Sequence, residues 1–307
     1  MFHTVNTENN VKKKNKLQHG SNVFYAALMA FPIVQFFIFY IAVNVGSFAY
    51  AFKGQEVNTA TGEIVWKITV TNITDWFTGA KWQSLLEMTE KSLLYYGINL
   101  AVSIPLGLLF AYYVFKKMPA SGFFRVMLFL PSIIPVAAFA LTYKIILNDV
   151  VPVLFDNLEL SFDSKPLLYV IFYNLYVSFG ASVLMYANKM FDISPELIEA
   201  AELDGATGIK EFWYVVLPLT FPTLSVFLVT GVATLFTNQY SLFLFMNNES
   251  TQLDSLGYHL YLLAGKTNTS EDNIPPVSAL GLILTAVALP LTFAVKYLLD
   301  KFGPSEE

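Results

Sequence analysis

The sequence predicts an all-α, polytopic membrane protein with six transmembrane helices and with both termini in the cytoplasm. Hydrophobic residues make up 55% of the 307-residue chain, and charged residues only 13%. A soluble domain carries about a quarter charged residues, because its surface faces water. Six stretches of the chain contain no charged residue and are long enough to cross a bilayer. Together these observations exclude an ordinary soluble domain.

The six charge-free runs are each expected to hold one helix, because about 20 apolar residues cross a hydrocarbon core of about 30 Å. The longest run is expected to hold a single span, since its middle carries Asn238, Gln239 and Tyr240 without a Gly-Pro or charged turn. The first run is predicted to be a retained helix, because its apolar stretch is about twice as long as that of a cleaved signal peptide. The runs cover residues 17–52, 92–115, 126–143, 166–188, 212–248 and 273–295.

The distribution of basic residues sets the expected orientation. Four lysines between positions 12 and 16 precede the first run, so the positive-inside rule places the N-terminus in the cytoplasm. With six spans, 11 Lys and Arg residues lie inside and 7 lie outside. The expected organisation is a cytoplasmic tail at 1–22, a first helix at 23–52, an external segment at 53–91, a core of five further helices at 92–299, and a cytoplasmic tail at 300–307.

Three external pieces are expected to have structure of their own. Residues 63–70 alternate in places between apolar and polar side chains and follow a turn sequence, which predicts a small hairpin. Residues 75–91 form an amphipathic pattern with Trp76 and Trp82, which is typical of a helix lying at the membrane interface. Residues 255–265 are apolar but too short to span, so an interfacial or re-entrant piece is expected.

The loop at 187–222 is the most informative part of the chain. Ser194 as N-cap and Pro195 at the first helical position predict a helix start, and Gly205 predicts its end. A second short helix is expected at 208–216. The loop carries six acids and two lysines, which favours a basic groove on a partner protein. A solvated helical hairpin without a partner explains the same pattern.

The same loop resembles the EAA loop of ABC importer permeases, and we use that name for residues 187–222. The resemblance rests on Glu199-Ala200-Ala201, on Gly205 after a gap of three residues, and on Val215-Val216-Leu217-Pro218 nine residues later, with Val215 where the family usually has Ile. The triplet Asp204-Gly205-Ala206 is similar to the form typical of permeases for sugars and polyols. The likeness extends over about 90–300 of the chain.

This resemblance implies the type I importer fold and an EAA loop that docks on a cytoplasmic ATPase. It also implies a second permease subunit of different sequence, two ATPase subunits that bind ATP and Mg, an external solute-binding protein, a carbohydrate substrate and a bacterial cytoplasmic membrane. No nucleic acid is expected as a partner. The residues that the resemblance assigns to ATPase coupling are Glu199, Ala200, Ala201, Asp204, Gly205, Leu217 and Pro218.

The chain itself carries no catalytic constellation. It lacks a Walker A loop, cysteine and any spacing typical of a metal site, so no catalytic or metal-binding residue is assigned, and ATP hydrolysis is expected in another subunit. An ATP-independent carrier is disfavoured, because almost no charged residue lies at mid-membrane. A permease for a non-sugar solute stays open as an alternative.

A few polar residues lie within the predicted spans. Polar side chains at membrane depth usually face the bundle interior or a water-filled path. The cluster Asn238, Gln239 and Tyr240 favours a sugar path, with hydrogen-bonded helix packing as the alternative. Asn174 is included as a candidate for the path, although helix packing is the favoured interpretation for it.

Overall fold

The computed structural model describes residues 24–57, 64–154, 162–246, 251–267 and 273–304. The predicted tail at 1–22, with its lysines, lies outside the described residues. In chain order the helices and strands are Phe24–Ala51 (α1), Lys53–Val57 (β1), Ile64–Ile68 (β2), Thr71–Thr74 (α2), Gly79–Phe115 (α3), Ser121–Ile133 (α4), Val136–Leu154 (α5), Pro166–Phe191 (α6), Pro195–Leu203 (α7), Ile209–Thr234 (α8), Leu242–Phe245 (α9), Leu256–Thr267 (α10) and Ile274–Phe302 (α11).

Six helices in the described part of the chain are long and apolar enough to cross a membrane, namely α1, α3, α5, α6, α8 and α11. This confirms the prediction of six spans. Helix α1 is exposed over nearly its whole length, with only Ala51 buried. Its large apolar side chains are therefore available to lipid.

Helix α3 differs from its prediction. A helix is confirmed over most of 75–91, but it is not a separate interfacial element, because it runs without a break into the second span as 37 residues of continuous helix. At 1.5 Å per residue α3 is about 55 Å long, which exceeds the thickness of the hydrocarbon core. Its first half buries Leu85 and Met88 in a cluster with Leu256 and Leu280. This packing attaches the first half of α3 to α10 and α11.

The third predicted span is divided into α4 and α5. Ile134 and Pro135 have extended backbone angles between the two helices. Proline lacks an amide hydrogen and forces the residue before it out of the helical region, so the helix stops there. Pro131, by contrast, is accommodated inside α4.

The fifth run was correctly predicted to hold one span, but the polar cluster lies outside that helix. Helix α8 ends at Thr234, and the chain then turns through residues 235–241 before α9. Tyr240 and Ser241 both have left-handed backbone angles. The prediction that Asn238, Gln239 and Tyr240 lie within the fifth helix is therefore wrong, because the chain leaves the helix four residues earlier.

Helix α6 is the centre of the bundle, where it packs along both α3 and α4. At Gly180 the backbone of α6 lies against the backbone of α4, so that a Cβ on Gly180 would overlap the carbonyl oxygen of Leu128. Small residues allow helices this close an approach in membranes. On the other side of the bundle, α11 packs on the second half of α1 and on α8.

The hairpin predicted within the external segment is confirmed. Strands β1 and β2 are antiparallel, with Lys53 opposite Ile68. The ammonium of Lys53 lies 3.8 Å from the ring centre of Trp66, which is a cation–π contact. The indole of Trp76 donates a hydrogen bond of 3.3 Å to the carbonyl of Pro276. The segment is thus attached to the first turn of α11.

We expect Gly180→Ala to destabilise the bundle by about 1–3 kcal/mol, because the added methyl group overlaps backbone that cannot move without separating α4 from α6. Gly97→Ala is the matched control, since Gly97 is an exposed helical glycine with open space at its Cβ position. Thermal unfolding of both variants in detergent measures the difference. Equal unfolding temperatures for the two variants would contradict the close contact.

Candidate functional site

Helix α7 forms the first half of the EAA loop, and its start is close to the prediction. Pro195 occupies the first turn, as expected. Ser194 precedes the helix, but its side chain makes no capping hydrogen bond; its backbone carbonyl accepts a bond of 3.2 Å from the amide of Leu197 instead. The expected side-chain cap is therefore wrong, while the helix boundary is right.

The two faces of α7 have opposite surroundings. Ala201 is buried, and Ile198 packs on the apolar cluster at this end of the bundle. Glu199 and Ala200 are exposed, and the side chain of Leu203 is 89% exposed. One face of the helix is thus attached to the bundle, and the other offers acidic and apolar groups to a partner.

A glycine turn ends α7. Gly205 has a φ of +81° and Gly208 a φ of +58°. The amides of Asp204, Gly205 and Ala206 bond back to carbonyls of α7 over 2.9–3.0 Å, so the last turn of the helix is closed. Open space surrounds both Cβ positions, so the requirement for glycine is the backbone conformation rather than packing.

The second helix of the loop is not a separate element. Instead of ending near 216, it continues as α8 from Ile209 to Thr234 and so passes through Leu217 and Pro218 into the membrane. Residues Phe212–Val216 form a short π-helical segment that ends two residues before Pro218. Kinks in helices usually lie at a proline or at such a π-helical segment. The prediction of a separate short helix at 208–216 is therefore wrong.

A buried ion pair joins the EAA loop to the end of α3. The ammonium of Lys116 lies 3.0 Å from Oε2 of Glu211 and 3.2 Å from Oε1 of Glu202. Glu211 is fully buried. Burial alone would lower the pKa of Lys116, but the hydrogen bonds to Glu211 and Glu202 outweigh it and raise the pKa above its usual value. Lys116 is therefore charged at neutral pH.

Sequence reasoning missed this ion pair. In the sequence analysis, Glu211 was included only among the six acids of the loop, and Lys116 only among the basic residues expected on the cytoplasmic side. The one available signal was an acid directly before the apolar stretch that begins at Phe212. Nothing in the sequence pointed to its partner 95 positions earlier.

Two of the four residues proposed for the substrate path lie together. The side-chain amide of Asn174 donates a hydrogen bond of 2.7 Å to the carbonyl of Tyr240 and accepts one of 3.2 Å from the hydroxyl of Ser241. Asn238 is exposed and bonds through Oδ1 to the amide of Tyr240, and Gln239 is half-buried. Asn174 thus joins α6 to the turn that follows α8.

A small cavity lies beside these residues. It has a volume of about 20 Å³ and is lined by Tyr95, Asn99, Asn174 and Tyr240, among others. The rings of Tyr95 and Tyr240 are stacked with their centres 4.8 Å apart. A cavity of this size has room for about one water molecule. In this conformation it cannot hold a sugar ring.

The described fold agrees with comparisons to known proteins. Residues 103–304 match the family described as binding-protein-dependent transport system inner membrane component, which is more than half of the chain. The chain belongs to this family. It is thus a multi-pass permease subunit of a binding-protein-dependent ABC importer, which is a transport component and not an enzyme. No curated protein matches the chain.

Solved importers have the fold of this permease. A bacterial ABC transporter involved in the import of the acidic polysaccharide alginate matches with a TM-score of 0.70 and 19% identity, over 94% of this chain and 99% of that chain. A bacterial alginate ABC transporter in complex with an alginate pentasaccharide-bound periplasmic protein matches with a TM-score of 0.65 and 17% identity, over 93% and 96%. At these identities the likeness concerns the fold.

We expect Asn174→Leu to destabilise the permease by about 1–3 kcal/mol, because it leaves the carbonyl of Tyr240 without this donor in a buried turn. Ser178→Ala is the matched control, since the Ser178 hydroxyl bonds only to carbonyls of its own helix. Thermal unfolding in detergent measures both. Equal unfolding temperatures for the two variants would show that Asn174 does not support the turn, and would favour the substrate path as its role.

Proposed function

We propose that this permease couples ATP hydrolysis in a separate ATPase subunit to the import of a sugar or oligosaccharide. Its EAA loop would lie on the cytoplasmic side, with both termini, in a bacterial cytoplasmic membrane. ATP and Mg would bind to two ATPase subunits. A second permease subunit of different sequence would complete the translocation path, and the solute-binding protein would dock on the opposite side.

The exposed face of α7 is the observation that carries this proposal. Glu199 and Leu203 point away from the bundle, so the helix offers a carboxylate and an apolar side chain to another protein. A cleft with basic groups and an apolar pocket is the complementary surface. Glu199, Ala200, Ala201, Asp204, Gly205, Leu217 and Pro218 are proposed as the coupling residues.

Two observations support a carbohydrate as the substrate. The triplet Asp204-Gly205-Ala206 resembles the form typical of sugar permeases, and two solved importers with this fold are described as alginate transporters. The path through the membrane is proposed to pass the turn at Asn238, Gln239 and Tyr240, with Asn174 beside it. Amides would bind hydroxyl groups there, and the tyrosine ring would stack on a sugar ring. The closed cavity requires this turn to move during transport.

We expect Glu199→Lys and Gly205→Val each to reduce uptake by about tenfold or more, because the first reverses a charge at the interface and the second cannot adopt the turn. The tagged permease is purified from its native host, and the captured ATPase is quantified beside uptake in whole cells. Asp300→Lys is the control, since it makes the same charge change at an exposed site outside the EAA loop. Normal uptake in both loop variants would overturn the coupling role.

The substrate class is tested separately in liposomes that contain the complete transporter and its binding protein. ATP hydrolysis is measured with neutral oligosaccharides, uronic acid oligosaccharides and amino acids. We expect stimulation by one of the two carbohydrate groups. Stimulation by amino acids alone would establish the non-sugar alternative.

A further inference from the structure

The ion pair of Lys116 connects three helices at one point. Lys116 directly follows the last residue of α3, Glu202 lies in the last turn of α7, and Glu211 lies in the first turn of α8. Its ammonium is 3.0 Å from Glu211 and 3.2 Å from Glu202. The helix proposed to receive the ATPase is thus attached directly to the end of a 37-residue helix that runs through the bundle.

The two acids differ in their surroundings. The side chain of Glu211 is 1% exposed and that of Glu202 is 48% exposed. Water and salt screen an exposed pair strongly and a buried pair weakly. The bond between Lys116 and Glu211 is therefore the persistent one. Oε1 of Glu211 is buried without a hydrogen-bond partner among the described residues, so Lys116 is the group that compensates this carboxylate there.

A second contact fixes the same place. The hydroxyl of Tyr112, one turn before Lys116, donates a hydrogen bond of 3.0 Å to the carbonyl of Gly208. The ring of Tyr112 packs on Phe212 with the ring centres 5.2 Å apart. Gly208, at the end of the glycine turn, is thereby attached to α3, while Gly205 still allows the turn to bend between α7 and Gly208.

We infer that Lys116 is a positioning residue that makes the last turn of α7, the start of α8 and the cytoplasmic end of α3 move as one body. This inference rests on the proposed docking of α7 on an ATPase. When the ATPase displaces α7, the ion pair transfers the displacement to α3. Without the ion pair, the turn at 204–208 bends when α7 is displaced, and α3 does not move with it. Ala201 is the only side chain of α7 that is buried, so packing alone holds this helix weakly.

The test compares the native pair with a variant that lacks both charges. Lys116→Met alone leaves Glu211 buried without a cation and can fail to fold. The double variant Lys116→Met/Glu211→Met removes both charges and keeps similar side-chain lengths, which is often tolerated at buried pairs. Lys210→Met is the matched control, because it removes an exposed lysine next to Glu211.

The measurement is a distance between spin labels in the purified complex with its ATPase. The chain contains no cysteine, so cysteines introduced at Lys117 and Glu196 are the only labelling sites on this subunit. Spectra are recorded without nucleotide and with Mg-ATP and vanadate. We expect one narrow distance in both states for the native pair and for Lys210→Met. We expect loss of that single distance in the double variant when nucleotide is added.

The outcomes separate this inference from the proposal on which it rests. If the native permease captures no ATPase, the docking of α7 is wrong. If the ATPase is captured and the double variant keeps the same narrow distance in both states, the docking stands and Lys116 has only a structural role. Equal broadening in Lys210→Met would also overturn the inference, because the effect would then not belong to the buried pair.

Discussion

A carboxylate withdrawn from water needs a compensating cation, and in this protein that requirement determines the geometry of the EAA loop. Glu211 is fully buried, and Lys116 at the end of α3 supplies the charge. Removing one partner of such a pair typically costs about 3–5 kcal/mol, whereas an apolar pair of similar volume can be equally stable. Stability alone therefore does not explain the two charges. The pair joins the end of α3 to the start of α8 and, through Glu202, to the last turn of α7.

A second requirement acts within the membrane, where every backbone group that leaves a helix must find a partner inside the protein. The turn at 235–241 meets it with side chains of Asn174 in α6 and of Ser255, directly before α10. Asn174 bonds to the carbonyl of Tyr240, and the hydroxyl of Ser255 bonds to the carbonyl of Asn238 over 3.0 Å. Asn174, one of the polar residues that suggested a substrate path, thus also supports the backbone where the helix ends. The two roles are compatible, since irregular backbone at membrane depth is tolerated where it lines a cavity.

Much of the fold follows from local patterns. The six spans follow from charge-free runs, and the limits of α7 follow from Pro195 and Gly205, whose backbone preferences act at their own positions. The sequence-based predictions failed where contacts between residues far apart in the sequence determine the structure. The continuity of α3 depends on packing against α10 and α11, and the pairing of Glu211 with Lys116 joins residues 95 positions apart. A single sequence carries no signal for such pairs, because each partner alone is an ordinary residue in an ordinary place.

Helix α3 connects the two ends of the bundle. Its first half packs through Leu85 and Met88 on α10 and α11. Its last turn contains Tyr112, which lies one helical turn before Lys116. Energetic coupling between distant sites is carried by rigid elements and by packed or hydrogen-bonded contacts at each end, and α3 has both. Its one irregularity is the π-helical segment Asn99–Ser103 near the middle, where the helical hydrogen-bond pattern changes. Such segments are places where a helix bends. Asn99 in this segment lines the small cavity, so the place where α3 can bend lies between Lys116 and the far end of the bundle, beside the Asn174–Tyr240 contact.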